Sequence, residues 1–106
     1  MAGMLSEMLA LNASSAARGE YEVAYHLLMA ALHVAEHEKD GGGLERIARV
    51  AKEQAVALER VQPPHPLSRK QAQLRGQTAL FDSLAAHIEA VRLRLQSDAQ
   101  RAKLRR

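Results

Sequence analysis

The sequence predicts an all-α protein of four helices arranged as two antiparallel hairpins. Alanine, leucine and valine dominate the apolar residues and aromatic residues make up only 3% of the 106 positions, a composition that favours helices over a β-sandwich. Apolar residues recur at helical spacing in each segment, without the alternation typical of strands. Glycine and proline divide the chain at Gly19, at 41–43 and at 63–66, where turns are expected.

The first two predicted helices span about 3–17 and 20–38 and form hairpin one, residues 3–38. The first places Met4, Leu5 and Met8 at helical spacing, and Gly19 supplies the left-handed residue that commonly follows a helix. The second is apolar around most of its circumference, which predicts that it is the most buried helix.

The third and fourth predicted helices, about 44–61 and 68–100, form hairpin two, residues 44–100. The triglycine at 41–43 is expected to be the loop before the third helix, and the proline run ends this helix because proline lacks an amide donor. Ser68 and Gln71 match the capping box that begins a helix. We therefore expect one helical domain, 1–106, that ends in a basic tail, 101–106.

One part of the first hairpin resembles a known repeat. Residues 19–24 read Gly-Glu-Tyr-Glu-Val-Ala, and with Leu28, Ala31 and Leu32 they resemble the second helix of a tetratricopeptide repeat. The resemblance covers about residues 5–52 and is specific at 19–32. It implies tetratricopeptide-like packing of the hairpins, with a four-helix bundle as the alternative architecture.

The resemblance also implies a binding groove. In tetratricopeptide proteins the first helix of each repeat lines a groove that receives a peptide, so Arg46, Arg49 and Lys52 would offer charge-assisted hydrogen bonds to an acidic peptide or a C-terminal carboxylate. The alternative is that these cations are exposed charges balanced by neighbouring glutamates three or four residues away, namely Glu45, Glu53 and Glu59.

The predicted fourth helix carries a heptad-like apolar seam: Phe81, Leu84, Ile88, Val91 and Leu95. This helix is longer than the third, so that its distal half should project past its neighbours with the seam uncovered. An uncovered seam usually meets another chain, which predicts a homodimer through this helix. Alternatively, the helix bends at Gly76 and folds back over the first hairpin to close a monomeric bundle.

Residues 33–37 spell His-Val-Ala-Glu-His, the pattern of inverted zinc peptidases. His33 and His37 share a helix face and are candidate metal ligands. A catalytic zinc needs a third ligand and a base, and His26 lies about 10 Å away along the helix axis. We therefore expect this strip to face water, and we expect neither a catalytic site nor a cofactor.

Charge is unevenly distributed along the chain. Residues 1–42 contain two basic and six acidic side chains, a net −4, whereas residues 67–106 contain nine basic and three acidic ones, a net +6. These observations favour a non-catalytic protein–protein interaction or assembly module. A basic nucleic-acid-associated protein that uses its C-terminal Arg/Lys tail is the alternative. No apolar run is long enough for a membrane span and no signal sequence is evident, so we expect a cytoplasmic protein without membrane partners.

Overall fold

The computed structural model of the chain describes residues 3–105. It contains five helices, α1 (Met4–Ala17), α2 (Tyr21–His37), α3 (Gly41–Val61), α4 (Arg69–Leu74) and α5 (Leu80–Leu104), and no strand within this range. The all-α prediction is confirmed. The predicted fourth helix is two helices, and the predicted basic tail is largely the last turn of α5; its final residue, Arg106, lies outside the described residues.

The four long helices α1, α2, α3 and α5 run antiparallel in succession and form two layers. α1 packs on α2, α2 on α3 and α3 on α5, while α1 runs parallel to α3 and α2 parallel to α5. The Cα atoms span 54 × 35 × 16 Å, and the shortest dimension fits two layers of helices whose axes lie about 10 Å apart. The radius of gyration is 15.2 Å, above the roughly 13 Å of a compact chain of this length. The chain is therefore a flat array with wide exposed faces.

The turns after α1 and α2 close in the same way. Gly19 and Lys39 follow the two helices in the left-handed conformation, with φ of 78° and 54°. In each turn the next residue donates its backbone amide to a carbonyl five residues earlier, Glu20 to Ser15 and Asp40 to Ala35, both at 2.9 Å. This is the Schellman arrangement, and it satisfies carbonyls at the end of each helix.

The expected triglycine loop is wrong, because the glycines form the first turn of α3. The Asp40 carboxylate accepts a hydrogen bond from the Gly43 amide at 2.8 Å and thereby caps the helix. A Cβ atom at Gly43 would lie 2.7 Å from Leu5 Cδ2. The absence of a side chain thus lets α1 approach the start of α3.

The break in the predicted fourth helix occurs at Gly76, whose φ is 68°. A third Schellman turn forms here, since the Gln77 amide donates to the Ala72 carbonyl at 2.8 Å. Arg69 bridges the break with two hydrogen bonds of 2.8 Å to the Asp82 carboxylate, and these raise the pKa of Arg69. The bend at Gly76, which the sequence left open, therefore separates α4 from α5.

The seam on α5 lies inside the chain. Phe81, Leu84, Ile88 and Val91 are buried in the hydrophobic core and Leu95 is partly buried against it. The rings of Tyr21 and Tyr25 meet Phe81 edge-on at centroid distances of 6.4 and 5.6 Å. The premise that this seam lacks intrachain cover is therefore wrong, because α5 lies along α3 and α2. From Gln96 to Leu104 every residue of α5 is exposed, and the oligomeric state stays a prediction.

Candidate functional site

The parallel helices α1 and α3 enclose an open cleft of about 390 Å³ on one wide face of the array. One wall is formed by small side chains of α1, Ser6, Ala10 and Ala13, and the other by α3. The lining residues of α3 are Arg46, Val50, Glu53 and Gln54. The wall of α1 is low because its side chains are short, so that the cleft is accessible from solvent along its length.

The floor of the cleft is a buried amide pair that joins three helices. The Asn12 side-chain nitrogen donates to the Ala24 carbonyl of α2 at 2.8 Å and to Gln54 Oε1 of α3 at 3.1 Å. Gln54 Nε2 donates back to Asn12 Oδ1 at 2.5 Å. Asn12 is completely buried and Gln54 is 8% exposed. The pair fixes the separation of α1 and α3, since its hydrogen bonds form at only one helix spacing.

The three cations of the predicted groove differ in position. Arg46 lines the cleft, whereas Arg49 and Lys52 are exposed on α3 but do not line it. Among the described residues, none of the three makes an ion pair within 4.0 Å. The side-chain pairs with neighbouring glutamates that would neutralise them are thus not formed, and the cations face solvent.

His33 and His37 line a different concavity, of about 400 Å³, between the end of α2 and the start of α1. Its other lining residues are Met4, Val34 and Glu38, and its surface is mostly apolar. Within residues 3–105 no group of three His, Cys, Asp or Glu side chains is arranged to hold a metal ion. The structure therefore places His33 and His37 at one concavity, but no third imidazole or carboxylate of the described residues is arranged to complete a metal site with them.

The basic end of α5 is partly neutralised by ion pairs within the chain. Arg92 pairs with Glu89 at 3.0 Å, Arg94 with Glu36 of α2 at 2.9 Å, and Arg101 with Asp98 at 2.6 Å. Lys103 and Arg105 are exposed. Three arginines at this end are accordingly engaged within the chain.

The role of the Asn12–Gln54 pair was missed by the sequence analysis. Asn12 occupies a position where the tetratricopeptide repeat, which this part of the chain resembles, has a small residue. Gln54 lies on the apolar stripe of α3, seven residues after Ile47. A polar residue in the phase of an apolar stripe is the signal that could have indicated a buried partner. The sequence does not indicate which two such residues meet, since 42 positions separate them.

No helix in the described part of the chain has both the length and the apolar character needed to cross a bilayer. Comparisons of the chain with protein-family profiles, with curated proteins and with solved structures give no match.

Proposed function

We propose that the protein is a non-catalytic interaction module whose α1–α3 cleft binds an acidic segment of a partner protein. One observation carries the proposal: Arg46 lines an open cleft, and neither it nor the neighbouring Arg49 and Lys52 makes an ion pair within the described chain. An arginine guanidinium binds a carboxylate through two parallel hydrogen bonds, which gives both affinity and direction.

The cleft has a polarity that constrains the ligand. Arg46 and Glu53 line it seven residues apart on α3, which corresponds to about 10 Å along the helix axis. A ligand carboxylate is favoured at the Arg46 end and disfavoured at the Glu53 end. Val50 between them, facing Ala10 and Ala13, provides an apolar surface for a ligand side chain. The expected ligand therefore combines an acidic residue with an apolar one and is not acidic throughout.

The Asn12–Gln54 pair shapes the floor of the cleft but offers a ligand no free hydrogen-bonding group. Every polar atom of Asn12 and Gln54 that is buried already has a hydrogen-bond partner. A ligand consequently gains little from bonding to the floor, and recognition rests on the rim arginine and the apolar wall. Such recognition suits a short linear segment of a protein, which presents both kinds of side chain a few ångströms apart.

The test is selection of random peptides of about eight residues, long enough to span the lined cleft, on the immobilised full-length protein. We expect enriched peptides to pair Asp or Glu with an apolar residue. In fluorescence anisotropy, Arg46→Glu should raise the dissociation constant of such a peptide by about tenfold or more. Ala13→Gln, which fills the cleft from α1 without adding a charge, should also weaken binding. Lys103→Glu has the same charge change on the distant end of α5 and should leave the affinity unchanged.

Two results would contradict the proposal. One is that no peptide is enriched, or that the enriched peptides bind Arg46→Glu and Ala13→Gln as tightly as the wild type. The other is that a labelled DNA or RNA duplex binds with an affinity that falls steeply with salt and depends on Lys103. The second result would support the nucleic-acid alternative, which the ion pairs of Arg92, Arg94 and Arg101 disfavour.

A further inference from the structure

α5 carries a second strip of residues on the side away from the core. Its members are separated alternately by three and four positions, which is the a/d spacing of a coiled coil. All of them are exposed, Leu93 by 54% and Leu104 by 85%. The strip consists of Ser83, Ala86, Ala90, Leu93, Ser97, Gln100 and Leu104. Because α5 packs on α3 and α2 through its opposite side, the strip forms one free edge of the array.

The charges beside the strip are sorted by sign as far as Arg101. With Ser83, Ala90, Ser97 and Leu104 at a positions and Ala86, Leu93 and Gln100 at d positions, the g positions before the a positions hold Asp82, Glu89, Gln96 and Lys103. The e positions on the other flank hold His87, Arg94 and Arg101. One flank is therefore acidic or neutral as far as Gln96 and basic at Lys103, and the other holds a histidine and two arginines.

We propose that this edge of α5 pairs with the same edge of a second copy as a parallel two-stranded coiled coil. In a parallel pair each g residue faces the e residue five positions later on the partner helix. Glu89 then meets Arg94 of the second copy, and Asp82, which Arg69 holds within its own chain, lies opposite His87. An antiparallel pair would instead place e against e and g against g, so that like charges face one another. The two Glu89–Arg94 pairs between the copies thus favour an identical helix as the occupant and the parallel direction.

The ion pairs that these side chains make within the chain can be replaced by ion pairs between the two copies. Asp82 accepts from Arg69, Glu89 accepts from Arg92, and Arg94 donates to Glu36. The Arg94 side chain is 58% exposed, so that it can turn to a second partner without leaving a buried charge behind. Ser97 and Gln100 within the strip weaken the contact, and the dimer should therefore dissociate on dilution. The proposal is independent of the cleft, which is built from α1 and α3.

Sedimentation over a range of concentrations tests the surface, with Leu93→Asp and Leu11→Asp as a matched pair. Both leucines are exposed to a similar degree, 54% and 58%, but Leu11 lies on α1. We expect the wild type to form a dimer. Leu93→Asp should raise the dissociation constant of the dimer by about tenfold or more, whereas Leu11→Asp should behave as the wild type. Circular dichroism of each variant shows whether it is folded. A wild-type monomer at all concentrations, or a dimer that a folded Leu93→Asp protein retains, overturns the proposal.

A cysteine placed in the strip tests the direction. The chain contains no cysteine, so Ser97→Cys introduces the only thiol. In the parallel arrangement the two a-position residues lie side by side within disulfide range, and mild oxidation should link the dimer covalently. Ser83→Cys should behave in the same way, whereas Ser14→Cys, exposed on α1, should not. Failure of both strip cysteines to cross-link a protein that is dimeric in solution would overturn the parallel arrangement.

Discussion

Replacing Asn12 with alanine should lower the free energy of unfolding by about 3 kcal/mol. Asn12 donates to the Ala24 carbonyl and to Gln54, and accepts from Gln54, so that the substitution removes three hydrogen bonds worth about 1 kcal/mol each. It also leaves the Gln54 amide, 8% exposed, without its partner. Gln54→Ala removes only the two bonds between the side chains and should cost about 2 kcal/mol.

The double variant distinguishes a coupled pair from two independent polar groups. Asn12→Ala with Gln54→Ala loses the same three hydrogen bonds as Asn12→Ala alone, because two of them are shared. Its cost should therefore be near 3 kcal/mol rather than the roughly 5 kcal/mol of independent sites. The expected coupling energy is about 2 kcal/mol.

The assay is urea unfolding of the full chain followed by circular dichroism at 222 nm, the helical signal expected of this fold. Ser15→Ala is the control, since Ser15 lies on the same buried side of α1 and its hydroxyl makes no side-chain hydrogen bond in the described part of the chain. We expect this variant to change stability by less than about 0.5 kcal/mol. A cost below about 1 kcal/mol for Asn12→Ala, or additive single costs, would refute the reasoning.

Three further predictions concern turns and caps, each measured by the same unfolding assay. Gly43→Ala should destabilise by more than about 1 kcal/mol, because its Cβ would collide with Leu5 of α1 as well as with the Asp40 carboxylate. Gly42→Ala has room and should be neutral or stabilising, and equal effects of the two substitutions would contradict the close approach of α1. Gly76→Ala should cost about 1 kcal/mol, since φ is 68° in open space, and no cost would show that the turn is not left-handed. Arg69→Ala should cost at most about 1 kcal/mol, because the ion pair with Asp82 is partly exposed, and the cost should shrink in high salt; an effect insensitive to salt would contradict an ionic origin.

The first three helices could be predicted within a few residues because their local signals agree. Apolar spacing, Gly19 and the proline run all mark boundaries that depend on neighbours in sequence. The Ser68 cap was predicted from the same kind of signal, and its hydroxyl accepts a hydrogen bond from the Gln71 amide at 3.2 Å. The start of α3 was wrong because glycine is a weak helix former and only the Asp40 cap and the proximity of Leu5 favour a helix there.

The position of α5 could not be predicted because one apolar seam fits two arrangements. A stripe at spacings of three and four packs equally well on another chain or on helices of the same chain. The choice depends on the break at Gly76 and on the Arg69–Asp82 pair across it, which together turn α5 back along α3. Phe81 then lies between Tyr21 and Tyr25, contacts that join residues more than fifty positions apart.

The residues of the candidate site were also predicted only in part from the sequence. Arg46 was predicted from the resemblance and lines the cleft, but Arg49 and Lys52 do not, because a spacing of three residues on a helix turns successive side chains gradually away from one face. Asn12 and Gln54 were missed, since their pairing requires the parallel packing of α1 and α3. Sequence periodicity predicts which face a residue occupies, and three-dimensional packing determines which residue it meets.

The most direct test of the proposed function is an amide chemical-shift titration of the isotopically labelled full chain with an acidic-apolar peptide from the selection. Binding in the cleft predicts shifts concentrated on residues 6–13 of α1 and 46–54 of α3, and their loss in Arg46→Glu. Shifts confined to the end of α5, or shifts that persist unchanged in Arg46→Glu, would contradict the assignment of the α1–α3 cleft as the binding site.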